Sequence, residues 1–280
     1  MTRKLTLFFL SILMLVSCGP YSGSQHGEGN KGKETGISLK EQVPPGFFPQ
    51  KIKIAAVGDS LTQGVGDSTD QGGYVPYLTD LLEKERSIKE VEVNNFGVKG
   101  NRTNELLETI GSPDVQTALQ EADIVIMTIG GNDIMKVVRE NFMNLELNDF
   151  EAEQELFKTR LTDAIESIRA ANPDSTVILI GLYNPFVKWF ADVKEMDEIV
   201  EGWNDTSQSV IEQYNHAYFV DINDLFLGDD ENLLFKDHFH PNDRGYELIA
   251  GRVYAELDGQ ALKELHQRTL TAVKEEIQDQ

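Results

Sequence analysis

From Lys51 onward the chain alternates short apolar runs with longer stretches of helical spacing. "KIKIAAV" reads as a strand and "YVPYLTDLLEKE" as a helix; "VEVNNF" is a second strand, with a short helical stretch near "RTNELLETI". "DIVIMTI" is a nearly unbroken apolar run, as expected of a strand covered on both faces. A long helix is predicted from Glu151 to Ala171. It carries Phe157, Leu161, Ala164, Ile165 and Ile168 on one face, and "NPDS" ends it. "TVILIGL" and "AYFVDI" supply a fourth and a fifth strand. Asn242 or Asp243 stands where it would cap a last core helix carrying Tyr246, Ile249, Val253 and Leu257. Such alternation calls for an α/β fold: a mainly parallel five-stranded sheet between helical layers, joined by right-handed crossovers.

Before Lys51 the pattern is different. "MTRKLTLFFLSILMLVSC" has a basic start, Arg3 and Lys4, and an uncharged run from Leu5 to Val16. That run is too short to span a bilayer and fits the apolar region of a signal peptide over residues 1–17. Cys18, the single cysteine, follows at once. "LVSC" resembles a bacterial lipobox, which implies lipid on the Cys18 thiol and cleavage just before it. The stretch from Gly19 to Gly46 is rich in Gly, Ser and charge and reads, with Cys18, as a flexible tether over 18–46. The expectation is a globular domain over 47–258, held by the Cys18 lipid at the outer face of a bacterial cytoplasmic membrane. The tail over 259–280 reads as a polar helical extension with a structural role.

Charge narrows the partners. The 280 residues carry Lys+Arg 25 against Asp+Glu 47, a net charge of −22. Loss of the first seventeen residues would remove Arg3 and Lys4 and leave the chain more acidic still. A surface this acidic disfavours nucleic acid, whose phosphates need Lys and Arg, and broad adhesion to anionic lipid.

In an open α/β sheet, ligands bind beyond the carboxyl ends of the strands. Four such places carry polar residues: "GDSLT" after strand one, "NNFGVKGNRT" at strand two, "GGND" after strand three, and "FKDHFHPND" after strand five. The first has neither the dinucleotide fingerprint nor the Walker pattern, and Thr62 replaces the last Gly of a G-x-S-x-G elbow. A serine at the end of a strand would carry a nucleophile to the sheet's edge, and could also cap the next helix. A serine hydroxyl needs a base to take its proton. His240 is the best candidate, with Asp237 three residues earlier to hold its other nitrogen. His238 breaks that spacing; His26, His216 and His266 read as structural. Asp59 and Asp133 adjoin these positions as loop anchors. No His, Cys and carboxylate set has metal-ligand spacing, and no cofactor is expected.

In this order the four segments resemble the SGNH, or GDSL, hydrolases, over roughly Lys51 to Leu257. The resemblance implies a flavodoxin-like three-layer α/β/α sandwich and metal-free hydrolysis of ester bonds. It implies a catalytic set of Ser60, Asp237 and His240, and an oxyanion hole made by the Ser60 N–H, the Gly100 N–H and the Asn132 side chain. Gly97 competes with Gly100 for the second donor. The alternative is a catalytically retired module that binds glycan or lipid. Between strands four and five, "GLYNPFVKWFADVKEMDEIVEGWN" is similar to a segment of lipoprotein members from Gram-positive bacteria. Its Phe186, Trp189 and Phe190 fit either the roof of an acyl pocket or the core. Charge and tether together favour soluble or wall-linked esters with short acyl groups.

Overall fold

The structure, a computed structural model, describes residues 49–185, 194–228 and 231–268. The leader, Cys18, the tether and the aromatic trio Phe186, Trp189 and Phe190 lie outside the described residues. Five strands form one sheet: β1 (Gln50–Gly58), β2 (Ile88–Gly97), β3 (Ile124–Thr128), β4 (Thr176–Ile180) and β5 (Ala217–Val220). Their order is β2-β1-β3-β4-β5, and every pairing is parallel. This is the flavodoxin-like order, so the expected sheet is present and is parallel throughout.

The two-residue period of the strands sorts the core into two layers. Ile52, Ile54 and Ala56 of β1, with Ile124 and Ile126 of β3, face one layer; Ala55, Val57, Val125 and Met127 face the other. The first layer holds α2 (Tyr74–Leu82) and α9 (Asp243–Glu256), which pack on each other. The second holds α3 (Thr103–Ile110), α4 (Pro113–Glu121), α5 (Gly131–Glu140), α6 (Leu147–Ala171) and α7 (Lys194–Ile211). Two short helices, α1 (Ser60–Gln63) and α8 (Asn223–Phe226), follow β1 and β5 directly.

The predicted faces of α6 and α9 are buried. Phe157, Leu161, Ala164, Ile165 and Ile168 are at most 1% exposed, and Tyr246, Ile249, Val253 and Leu257 are fully enclosed. Helix α6 begins at Leu147, four residues earlier than expected, and its added first turn buries Phe150. Asn242 is the cap of α9, its side chain accepting the Gly245 N–H. Beyond α9 a π-helical turn, Leu257–Ala261, leads into a helix over 262–268, and Ala261, Leu262 and Leu265 join the first core layer.

Candidate active site

The site lies where the sheet order reverses, between the carboxyl ends of β1 and β3. Strand β1 delivers Ser60 there, as the first residue of α1. The capping expectation is corrected: Asp59, not Ser60, caps α1, its Oδ1 accepting the Leu61 N–H at 3.0 Å. The Ser60 hydroxyl is therefore left for another partner. That partner is His240, whose Nε2 is 2.9 Å from Ser60 Oγ, across 180 residues of sequence. His240 Nδ1 is 2.7 Å from Asp237 Oδ2, a contact that sets the tautomer with the proton on Nδ1.

Local bonds hold the Asp237–His240 loop. Asp237 Oδ1 accepts the backbone N–H groups of Phe239 and His240, both at 3.0 Å. Partial burial pushes Asp237 up, but the bonds from the His240 ring and from these two amides outweigh it and hold the carboxyl below its usual range. Phe235 donates to His240 O at 2.8 Å, which closes the loop on itself. His238 is exposed and sits at φ 58°. Two tyrosines tie this end of the chain to the rest. Tyr246 donates to Val65 O at 2.7 Å, beyond α1, and Tyr183 to Phe239 O at 2.5 Å.

Beneath Ser60 lies a buried polar chain that motif reading missed. Thr128 Oγ1 donates to Asp59 Oδ1 at 2.8 Å and pairs with Thr62 Oγ1 at 2.8 Å, which meets Tyr74 Oη at 3.1 Å. Thr128 left one trace in the sequence, a polar residue ending the apolar run of β3. Desolvation raises Asp59 to about 6, its hydrogen bonds only partly opposing this. Asp133 is raised to about 6 for the same reason; it accepts from the Thr103 hydroxyl at 2.7 Å and so anchors α3 to α5.

The two candidate glycines separate on geometry. The Gly97 N–H is engaged by Asn95 Oδ1 at 2.9 Å, and a Cβ on Gly97 would come within 2.2 Å of Gln63 N. Gly97 is thus a close-approach glycine between β2 and α1. Gly100 stands in the following turn at φ 88°, with open space around a Cβ, and among the described residues its N–H has no acceptor. Asn132 Nδ2 donates to Asn101 O at 2.9 Å, which joins this turn to the start of α5.

Ser60 and Asn132 open onto a pocket with a mostly carbon wall: Leu61, Ile134, Met135, Leu182, Met196 and Val200. Among the described residues no group of three or more His, Cys, Asp and Glu comes together to hold a metal. No described helix is long and apolar enough to cross a membrane. A hydroxyl on an imidazole whose far nitrogen faces a carboxylate is an arrangement suited to acyl transfer.

Comparison with known proteins defines the class. The chain belongs to the GDSL-like lipase/acylhydrolase family, whose model matches residues 56–248, and is an enzyme of the ester-hydrolysing kind. It is 38% identical over 264 residues to the uncharacterized protein YpmR of Bacillus subtilis, covering 92% of this chain and 98% of that one. It is 26% identical to the spore germination lipase LipC of Bacillus licheniformis, over 74% of this chain and 99% of LipC. Among solved structures, the lipase Lip_vut3 from a goat rumen metagenome superposes with TM-score 0.66 and 25% identity, covering 73% of this chain and 96% of that one. A variant of Axe2, an acetyl-xylooligosaccharide esterase of Geobacillus stearothermophilus, shares the fold at TM-score 0.57 and 21% identity, covering 76% and 94%.

Proposed function

We propose that the protein is a serine ester hydrolase that works outside the cytoplasmic membrane, tethered there by lipid on Cys18. The observation that carries the catalytic part is the continuous line Ser60 Oγ, His240, Asp237, with contacts of 2.9 and 2.7 Å. In this reading the Ser60 hydroxyl attacks the ester carbonyl carbon and its proton passes to His240 Nε2. The carbonyl oxygen takes up the electron pair and faces the Ser60 N–H, the Gly100 N–H and Asn132 Nδ2. Removing one such donor costs about 2.7–4 kcal/mol in the transition state. Collapse breaks the bond to the alcohol oxygen, which receives the proton from His240 and leaves an acyl-Ser60. A water then repeats the sequence in reverse, giving up its proton to His240 and freeing the carboxylic acid and Ser60. Asp237 keeps Nδ1 protonated and stabilises the imidazolium between steps.

The tethering part is supported by "LVSC" with its single cysteine and by the Gly- and Ser-rich stretch after it. Two acyl chains on one residue would anchor the protein stably, where one would not. A fluorophosphonate probe applied to intact cells tests both parts. The expected result is a labelled band in the membrane fraction, absent in Ser60→Ala and shifted to the soluble or precursor form in Cys18→Ser. Labelling that survives Ser60→Ala removes the nucleophile; wild-type label found wholly in the medium removes the anchor.

A further inference from the structure

The pocket beside Ser60 is walled mainly by the second core layer, with Leu61 and Tyr183 of the first layer and Phe239 completing its lining, whereas His240 is set by the first layer. Ile134 of α5, Leu182 and Val200 of α7 belong to the second core layer. His240 leads into α9, whose Tyr246, Ile249 and Val253 belong to the first. This separation constrains an ester held at Ser60. Its leaving oxygen must come within hydrogen-bond reach of His240 Nε2, because that nitrogen protonates it. Its carbonyl oxygen must turn toward Asn132. The remaining substituent, the acyl chain, is left to face the apolar wall that the second layer chiefly supplies.

The pocket wall suits a hydrocarbon and little else. Several of its polar atoms already have partners: Asp59 Oδ1 holds the Leu61 N–H and the Thr128 hydroxyl, Asn132 Nδ2 donates to Asn101 O, and the Tyr183 hydroxyl donates to Phe239 O. A sugar placed here would set most of its hydroxyls against carbon, which is costly away from water. Two methionines, Met135 from α5 and Met196 from α7, stand in the wall half-buried. Unbranched thioethers adapt their shape to a flexible apolar ligand.

We propose, against the expectation of short acyl groups drawn from charge and tether, that this pocket receives the acyl chain of the ester, that it accepts chains well beyond acetyl, and that Met135 and Met196 set the length it takes. The alcohol stays on the His240 side and is read weakly. The inference rests on the serine-hydrolase reading above.

The test measures kcat/KM of the full chain on p-nitrophenyl acetate, butanoate, hexanoate and octanoate. A rise of about tenfold or more from acetate to hexanoate is expected, well under the ceiling that burying four methylenes would allow. Exchanging ethanol for glycerol in the hexanoate ester should change kcat/KM by less than about threefold. Met135→Trp and Met196→Trp should each lower the hexanoate-to-acetate ratio by about tenfold, through lost pocket space. Met135→Ala, which needs no extra room, should shift the optimum toward octanoate. Rates of Ser60 inactivation by alkyl fluorophosphonates of rising length should follow the same order. If Ser60 labels and acetate is turned over, but the series is flat or falling, the pocket assignment is overturned and the hydrolase reading stands. If nothing labels and nothing is turned over, both fall together.

Discussion

The two halves of the proposed catalytic line are built on opposite principles. Ser60 is 3% exposed and stands beside a buried chain, Asp59, Thr128, Thr62 and Tyr74, drawn from the cap of α1, from β3 and from α1 and α2. Asp237, at the other end, has a side chain 39% exposed, and its partners lie within three residues. The Ser60 end is positioned by contacts about seventy residues apart in sequence, the Asp237–His240 end by a loop that closes on itself. Long-range contacts tie the position of Ser60 to the packing of the whole sheet. Local contacts preserve the shape of the loop but leave its placement to Tyr246 and Tyr183.

This contrast can be broken first at the chemistry. Ser60→Ala and His240→Ala should each lower kcat by about 10⁴ or more while the protein stays folded, and Asp237→Asn should come close to them through the wrong His240 tautomer. Steady-state kinetics beside circular dichroism checks this; a folded Asp237→Asn enzyme with near-normal kcat would show that the exposed arm is dispensable.

The next largest effect concerns the glycines. Gly97→Ala forces a Cβ to within 2.2 Å of the Gln63 backbone and should unfold the protein or cut its yield sharply. Gly100→Ala meets only the strain of φ 88°, about 1 kcal/mol. Comparative thermal denaturation decides it, and equal losses would refute the assignment of Gly97 as the close-approach position.

Thr128→Val sharpens the comparison on the buried side. It removes a donor from Asp59 and a partner from Thr62, and should destabilise by about 1–3 kcal/mol. Because the Thr128 bond opposes the rise of Asp59, its loss should also push that carboxyl further up. Urea denaturation as a function of pH reads both.

The smallest effect is also the most selective, because the two ends have opposite signs. Asp59 is raised to about 6, so its contribution is fully present below the ordinary carboxylate value of 3.8 and is lost as pH rises through about 6. Asp237 is lowered, so its contribution is present above 3.8 and is lost as pH falls through its depressed value. Asp59→Asn, which keeps an acceptor and cannot ionise, should therefore flatten the decline of stability between pH 4 and 6. Asp237→Asn should instead weaken the dependence on the acid side. Matching pH profiles for the two variants would show that the buried and exposed carboxylates are not distinguished in this way.

Much of this was legible in the order of residues. Strand β3 announces its double burial as an unbroken apolar run, and α6 and α9 display their inner faces at helical spacing, because burial acts on each element through its own period. The Ser60–His240–Asp237 contacts were legible from a serine at a strand end and an Asp-x-x-His spacing, and Asn132 from the resemblance of its segment to a known family. Thr62, Thr128 and Tyr74 carried no such mark. Any one of them reads as an ordinary polar or aromatic residue until the sheet brings β1 beside β3.

The sequence by itself determined the five strands, the helices α2, α3, α6 and α9 and their parallel alternation, but not α4, α5 or α7. It also set the local Asp237–His240 pairing, since three residues of a tight loop suffice to make it. The tertiary structure decided the rest. It made Asp59 rather than Ser60 the cap of α1, which left the Ser60 hydroxyl for His240. It chose between Gly97 and Gly100 by engaging one N–H and leaving the other without an acceptor among the described residues. It also set an apolar pocket of Met135, Met196 and Val200 beside Ser60. The reason is physical: period and residue type are properties of a segment. Which donor remains unpaired, and which side chains share a cavity, depend on elements that meet only when the chain has folded.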